Sequence, residues 1–207
     1  MFAPHHQQGI DVFLAGGGGN GKTGTTYWAG SSGGGGYTAT FKKVILNNNY
    51  SYSIVIGGAN GKTSGFGHEA AGGKQGGDAV SGGTTYGGDG GSGGTPAFHT
   101  RGNGSCMNLM GGTDGGNAGS CSYSHTEVGG TVYGVGGRGQ GTTTREFGEP
   151  SGKLYSSGGN AYAHSSPTIA NSGNGGSGSS VMDDRGQVKV KATAGSSGII
   201  VIRNARN

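Results

Sequence analysis

The 207-residue chain has few of the large apolar side chains that build an ordinary protein core. Leu, Ile, Val and Phe together supply 29 residues, about 14%, and a share below about 20% is unusual for a globular domain. This shortage excludes a TIM barrel, a Rossmann domain and a helix bundle, because each needs a thick apolar interior. Strong charge is also lacking: 14 basic and 10 acidic residues give a formal net charge of +4, too little repulsion to keep a chain open.

Other scarce features exclude further classes of protein. Four prolines are too few for collagen, and no apolar run approaches the ~18 residues of a membrane span, so we expect no membrane insertion. The first residues have neither a basic nor an apolar leader region, which predicts no secretory signal. The basic residues are scattered, so we expect no nucleic-acid binding. The two cysteines, Cys106 and Cys121, form either one disulfide or two small buried thiols.

Glycine takes the place of the missing side chains, with 54 of the 207 residues. It is concentrated between residues 57 and 180 and often recurs at every third position, most regularly in residues 87–94. A three-residue period matches the polyproline-II helix, which has no internal hydrogen bonds. Glycine at every third position allows neighbouring helices to approach and exchange backbone hydrogen bonds. Interspersed aromatic residues favour this ordered polyglycine-II bundle over the alternative, a flexible Gly/Ser linker.

Strand-like segments flank the glycine-rich part of the chain. Residues 37–46 and 50–56 surround Asn47-Asn48-Asn49 and predict a β-hairpin. Residues 187–191 alternate between valine and polar residues, and residues 199–202 are apolar on both faces, which is typical of a buried central strand.

The predicted fold class is therefore mainly β and irregular, without α-helix, because no segment has a helical period and glycine disfavours helices. A small antiparallel sheet formed by both chain ends would pair residues 10–15 with 199–203. The predicted organisation is one compact unit with a β-sheet base (residues 1–56 and 188–207) and a polyglycine-II body carrying surface loops (residues 57–187).

The chemical motifs in the sequence are weak. Residues 16–23 match the P-loop pattern, but the glycine-rich sequence after them cannot form the helix that must face the phosphates. The six histidines and two cysteines lack zinc-ligand spacing, and the aspartates do not recur at calcium-repeat intervals. No nucleophile or acid–base motif is present. We therefore expect no enzyme activity, no cofactor and no metal site.

Four stretches resemble segments of the glycine-rich domains of bacteriophage tail proteins. The most specific is Gly141-Thr-Thr-Thr-Arg-Glu-Phe-Gly-Glu149, and the others are Gly9-Ile-Asp-Val-Phe-Leu14, Tyr52-Ser-Ile-Val-Ile-Gly-Gly58 and Gly198-Ile-Ile-Val-Ile-Arg203. The resemblance implies a virion component at a tail fibre or tail tip, extracellular after release from the host. It further implies other tail proteins as partners, a homo-oligomeric state and a role at the host surface.

The leading functional hypothesis is a receptor-binding adhesin whose rigid body displays loops toward a bacterial sugar or outer protein. A purely structural virion or filament component and an ice-binding polyglycine protein remain the alternatives. Recognition is expected in the glycine-poor insertions, where aromatic, His, Arg and Met side chains are good contact residues. Each candidate could instead pack inward as a cap of the body. The candidate contact residues are Phe98, His99, Arg101, Met107, Tyr123, His125, Tyr155, Tyr162 and His164.

Overall fold

The computed structural model describes residues 9–23, 30–77, 91, 120–124, 131–135, 142–160, 169–181 and 188–206. Within these ranges the chain forms β-strands, extended segments and one 3₁₀ turn (Glu146–Gly148), and no α-helix. The strands are β1 (Ile10–Ala15), β2 (Thr38–Val44), β3 (Ile54–Val55), β4 (Thr63–Gly65), β5 (His68–Ala70), β6 (Ser120–Ser124), β7 (Thr131–Val135), β8 (Ser180–Val181), β9 (Val188–Val190) and β10 (Ile199–Asn204).

Both chain ends meet in a three-stranded antiparallel sheet with the order β10-β1-β2, which we call the base sheet. The predicted pairing of the two ends is confirmed, with Phe13 opposite Val201 and Ala15 opposite Ile199. The prediction that residues 199–202 form the central strand is wrong, because β1 takes that position. Strand β10 lies at the edge of the sheet, and Ile202 there is 45% exposed. Strand β9 pairs with β8 and forms no part of the base sheet.

The predicted hairpin between residues 37–46 and 50–56 is also wrong. The asparagine turn does form, since the Asn49 N–H donates to Asn47 Oδ1 (2.9 Å). However, β2 pairs with β1, while β3 pairs with β4 in a second antiparallel sheet of order β3-β4-β5. Lys43 forms a bulge in β2: its φ is 55°, its N–H donates to the Asp11 side chain (3.1 Å), and Val44 beyond it still pairs with Ile10 of β1.

The base sheet has a small apolar core on each face, because successive side chains of β1 point to opposite sides. Val12 and Leu14 pack toward the second sheet with Ala70, and the partly buried Phe66 and Ile200 close this core. Phe13 and Ala15 lie on the opposite face, where they contact Phe147 and Tyr155. Strand β1 is therefore buried on both faces, which is the environment expected of a central strand.

Beyond β1 the chain continues as an extended central segment, residues 16–22, that is hydrogen-bonded to several neighbouring segments. The N–H groups of Gly16, Gly19 and Lys22 donate to carbonyls of one neighbour, residues 31–37, at 2.8–2.9 Å. Those of Gly18 and Gly21 donate to a second neighbour, residues 193–196, at 2.8 and 3.0 Å. The hydrogen-bond partner thus repeats every three residues, whereas in a β-strand it repeats every two.

The carbonyl groups of the central segment follow the same period. Gly17 and Asn20 accept from Gly73 and Gly76 in a parallel neighbour, residues 71–77 (2.8 and 3.0 Å). The carbonyls of Gly19 and Lys22 accept from the N–H groups of residues 176 and 179, which belong to another parallel neighbour. The central segment is thus surrounded by parallel and antiparallel neighbours, and the packing is backbone against backbone.

Glycine is required in this packing because the backbones approach too closely for a side chain. A Cβ atom placed on Gly17 would lie 1.8 Å from the carbonyl oxygen of Gly58, and one on Gly18 would lie 1.9 Å from that of Asn174. Real Cβ atoms essentially never come within 3.0 Å of another residue's atoms. The high glycine content is therefore a packing requirement of these described segments.

Candidate functional site

Most of the predicted contact residues lie outside the part of the chain that the structure describes. This applies to Phe98, His99, Arg101, Met107, His125, Tyr162 and His164, and also to Cys106. Tyr123 and Cys121 belong to β6, of which only the backbone is described; they stand opposite Val132 and Gly134 of β7. The disulfide and these contact residues therefore stay predictions.

Tyr155 is the one candidate whose side chain the structure describes, and it is a core residue. Its exposed fraction is 3%, and its ring centroid lies 5.2 Å from that of Phe13. Burial, the charge of Glu146 and a hydrogen bond with Glu146 raise the pKa of the Tyr155 hydroxyl. Because the ring faces the base sheet, Tyr155 has no surface to offer a receptor, and its assignment as a contact residue is corrected to the alternative, an inward cap.

Residues 142–155, which carry the most specific stretch of the phage-tail resemblance, cover one face of the base sheet. The Glu146 N–H donates to the Lys153 carbonyl (2.9 Å) and the Tyr155 N–H to the Thr144 carbonyl (2.9 Å), so this 142–155 loop closes on itself. Phe147 adopts a left-handed conformation (φ 55°), which turns its ring into the core beside Phe13. A structural role therefore accounts for this stretch.

A buried ion cluster fastens the 142–155 loop to the strands of the base sheet. Arg203 of β10 donates from Nε to Asp11 of β1 (3.1 Å) and from Nη2 to Glu149 (2.7 Å). Its guanidinium also lies over the Phe147 ring, 4.0 Å from the centroid. Sequence reasoning missed this cluster, although a lone aspartate inside the apolar run of β1 was a usable signal for it.

The charges of this cluster shift each other's pKa values. Burial by itself would raise the pKa of Asp11, but hydrogen bonds from the Lys43 N–H and from Arg203 outweigh it and hold that pKa below its usual value. The hydrogen bond from Arg203 likewise lowers the pKa of Glu149, and the bond to Glu149 raises the pKa of Arg203. The cluster is therefore ionised at neutral pH, and its role is structural because every group already has a partner.

The glycine-rich segments end together at the side of the molecule opposite the base sheet, which we call the distal end. Lys22 and Ser179 meet there, since the Ser179 N–H donates to the Lys22 carbonyl (3.3 Å). Ser31 lies beside them and donates its hydroxyl to the Gly77 carbonyl, while the Gly178 N–H reaches Asn160 (3.1 Å). Four of the described ranges stop within two residues of this end, at residues 23, 77, 160 and 181.

A second surface lies near the base sheet and consists of exposed apolar side chains. We call it the apolar strip; its members are Ile45, Tyr50, Tyr52, Ile54, Val55 and Ile56, with exposed fractions from 36% to 68%. The sequence prediction placed these residues in a hairpin and did not anticipate that they would be uncovered. So many large exposed apolar side chains within twelve residues are unusual for a monomer and are typical of an interaction site.

Residues 16–23, the P-loop match, are extended and bonded to neighbouring backbone. In the described ranges no three His, Cys, Asp or Glu side chains come together as a metal site, and no helix there is long and apolar enough to cross a bilayer.

Comparison with known families identifies one match. A model of a family described as a glycine-rich domain matches residues 1–205, so the chain belongs to this glycine-rich domain family. No curated protein and no solved structure matches the chain.

Proposed function

We propose that this glycine-rich domain is the adhesin of a phage tail fibre or tail tip, with a polyglycine-II body that holds receptor-binding loops at the distal end. The phage assignment is supported by the sequence resemblance described above. The adhesin assignment is supported by one structural observation, the division of the molecule into a base sheet and a distal end.

The polyglycine-II body is the mechanical part of this proposal. A polyglycine-II helix directs successive N–H groups to three sides, so its partners change with a three-residue period. The central segment has this period in both its donors and its acceptors. The segment of residues 31–37 has the same three-residue period, because the N–H groups of Gly33 and Gly36 donate to the carbonyls of residues 176 and 173 in one neighbour. Such a lattice is stiff, because each short segment is fixed from several directions.

The distal end is the recognition part. Four stretches of chain begin there, and one of them, residues 161–168, contains the predicted contact residues Tyr162 and His164. The group of Phe98, His99 and Arg101 follows Gly91, whose N–H donates to Gly35 (2.9 Å) close to the base sheet. A rigid frame lowers the entropy cost of presenting such residues. Loops can vary without disturbing the frame, which suits recognition of a variable bacterial surface.

A binding assay on purified protein tests this proposal. Fluorescently labelled protein is incubated with a panel of bacterial strains, and two variants are compared on any strain that binds. One carries Tyr162→Ala and His164→Ala, and the other carries Phe98→Ala, His99→Ala and Arg101→Ala. The control is Arg206→Ala, since that side chain is 70% exposed and follows β10 of the base sheet, outside the apolar strip.

The expected result is strain-selective binding that the Tyr162 and His164 variant abolishes, with unchanged thermal stability, while Arg206→Ala binds normally. Loss of binding only in the Phe98, His99 and Arg101 variant would place recognition outside the distal end. Aromatic and Arg anchors often contribute about 2 kcal/mol or more, which is roughly a thirtyfold change in affinity. Binding to no strain, together with antibody labelling of virions, would favour the purely structural role instead. Thermal hysteresis of the purified protein would favour the ice-binding alternative.

A further inference from the structure

The apolar strip contains a run of side chains exposed on both faces of one strand. Ile54, Val55 and Ile56 follow one another and are 50%, 51% and 44% exposed. Successive side chains of an extended strand point to opposite faces, so neither face of this strand is covered. A strand edge with three adjacent, half-exposed β-branched residues is prone to pair with another chain.

The backbone of this strand is open on one side as well. Strand β3 is the outer strand of its sheet and pairs with β4 through Ile54 opposite Gly65 and Val55 opposite Ser64. Within the described residues no strand adjoins its other edge. The strip is nevertheless held in place, because Tyr52 packs against Phe66 (5.6 Å between ring centroids) and its hydroxyl accepts from the Asn47 N–H (2.8 Å). A fixed, open edge binds another strand at a low entropy cost.

The composition of the strip favours one kind of occupant. No charged residue occurs from residue 44 to residue 61. Interfaces between identical subunits are more apolar than those between independent proteins, and their centres are depleted of charge. The exposed parts of the six side chains amount to roughly 600 Å² over both faces of the strand, which is below the ~800 Å² that each partner contributes to a standard stable interface and fits a weaker dimer.

We propose that the apolar strip is the interface between two copies of this chain, with β3 of each copy paired antiparallel across a two-fold axis. An antiparallel edge contact is self-complementary, because the same strand supplies both halves of the ladder. Two such strips meet without bringing like charges together, despite the formal net charge of +4. The base end of the adhesin would thus be the end that assembles, which leaves the distal end free.

Sedimentation velocity on the full chain tests the interface. The variant is Ile54→Lys, which puts a charge at the centre of the strip, and Val55→Lys is a second variant on the opposite face. The matched control is Ile169→Lys, because Ile169 is also an exposed isoleucine (63%) but lies outside the strip. Circular dichroism checks that each variant keeps its fold. Hydrogen exchange of residues 54–56 is measured at high and low protein concentration.

The expected result is a discrete dimer for the wild-type chain and for Ile169→Lys, and at least a tenfold weaker dimer for both strip variants. Those amides of residues 54–56 that point away from β4 should be protected at high concentration and exchange faster on dilution. A wild-type chain that is monomeric over the whole range would overturn the proposal and assign the strip to another chain or to a different protein. A dimer that both strip variants leave intact would also overturn it, as would polydisperse aggregation in place of a dimer.

Discussion

Replacing Gly18 by alanine is the sharpest test of backbone-on-backbone packing. The new Cβ would lie 1.9 Å from the carbonyl oxygen and 2.3 Å from the carbonyl carbon of Asn174. Ordinary van der Waals contact begins at 3.4 Å, so the segment of residues 172–179 must retreat by roughly 1.5 Å. No flexible side chain is available to absorb this movement, since the obstructing atoms are backbone.

The retreat breaks the hydrogen bonds that hold this segment. The Gly176 N–H donates to Gly19 (2.8 Å), while the carbonyls of Gly173 and Gly176 accept from Gly36 (2.7 Å) and Gly33 (2.9 Å). At about 1 kcal/mol for each bond, Gly18→Ala should lower the free energy of unfolding by about 3 kcal/mol. For a chain of this length that corresponds to a fall in Tm of roughly 10 °C.

The control is Gly58→Ala, because a Cβ there would meet no atom within 4 Å. This change carries only the small gain from a less flexible unfolded chain, about 0.4–1 kcal/mol. Both variants are compared with the wild type by scanning calorimetry. If Gly18→Ala melts within about 2 °C of Gly58→Ala, the close approach is not a packing requirement and the reasoning is wrong.

Three further predictions concern the core and the ion cluster. Arg203→Met removes the side-chain partner of the buried Asp11 carboxylate, so it should lower the free energy of unfolding by about 3 kcal/mol in denaturant titrations. The control, Arg206→Met, changes a side chain that is 70% exposed and should lower it by less than about 1 kcal/mol. The pKa values of Asp11 and Glu149 are lower in the folded chain than in the unfolded chain. Their contribution to the free energy of unfolding should therefore be fully present above about pH 5 and be lost as the pH drops through the folded pKa values. A melting temperature that does not change between pH 5 and pH 3 would contradict this. Tyr155→Phe should lower the free energy of unfolding by only about 1 kcal/mol, because it removes the hydrogen bond with Glu146. Tyr155→Ala also removes the buried ring and should lower it by about 3–5 kcal/mol. Equal losses of stability in the two variants would contradict the role of Tyr155 as an inward-packed ring.

The parts of the fold that the sequence predicted were those in which local pattern and packing agree. The apolar runs of β1 and β10 and the asparagine turn were of this kind. The predicted hairpin was wrong because β2 pairs with β1 and β3 pairs with β4, and the choice of partner strand depends on tertiary packing rather than on local alternation. The predicted strand order of the base sheet was wrong for a related reason. Strands β1 and β10 are both apolar, and packing against both faces of the sheet determines which of them lies at its centre.

The site was harder to predict than the fold. Tyr155 and the 142–155 loop carry aromatic and charged residues that resemble a binding surface in sequence, yet the structure uses them to cover Phe13. An aromatic residue in a glycine-rich chain serves equally well as a contact or as a cap, and only its burial distinguishes the two. The apolar strip was missed because alternation predicts a buried face without saying which neighbour buries it.

Native-state hydrogen exchange across the central segment tests the backbone lattice most directly. Residue-resolved spectra would follow the amides of residues 16–22, in which Gly16, Gly17, Gly18, Gly19 and Gly21 all donate to other segments at 2.8–3.0 Å. If the backbone forms the core, these five amides should be protected together and exchange only on global unfolding, although almost no apolar side chains surround them. Exchange of these amides within seconds in the folded protein would mean a flexible linker and would contradict the backbone-packed body.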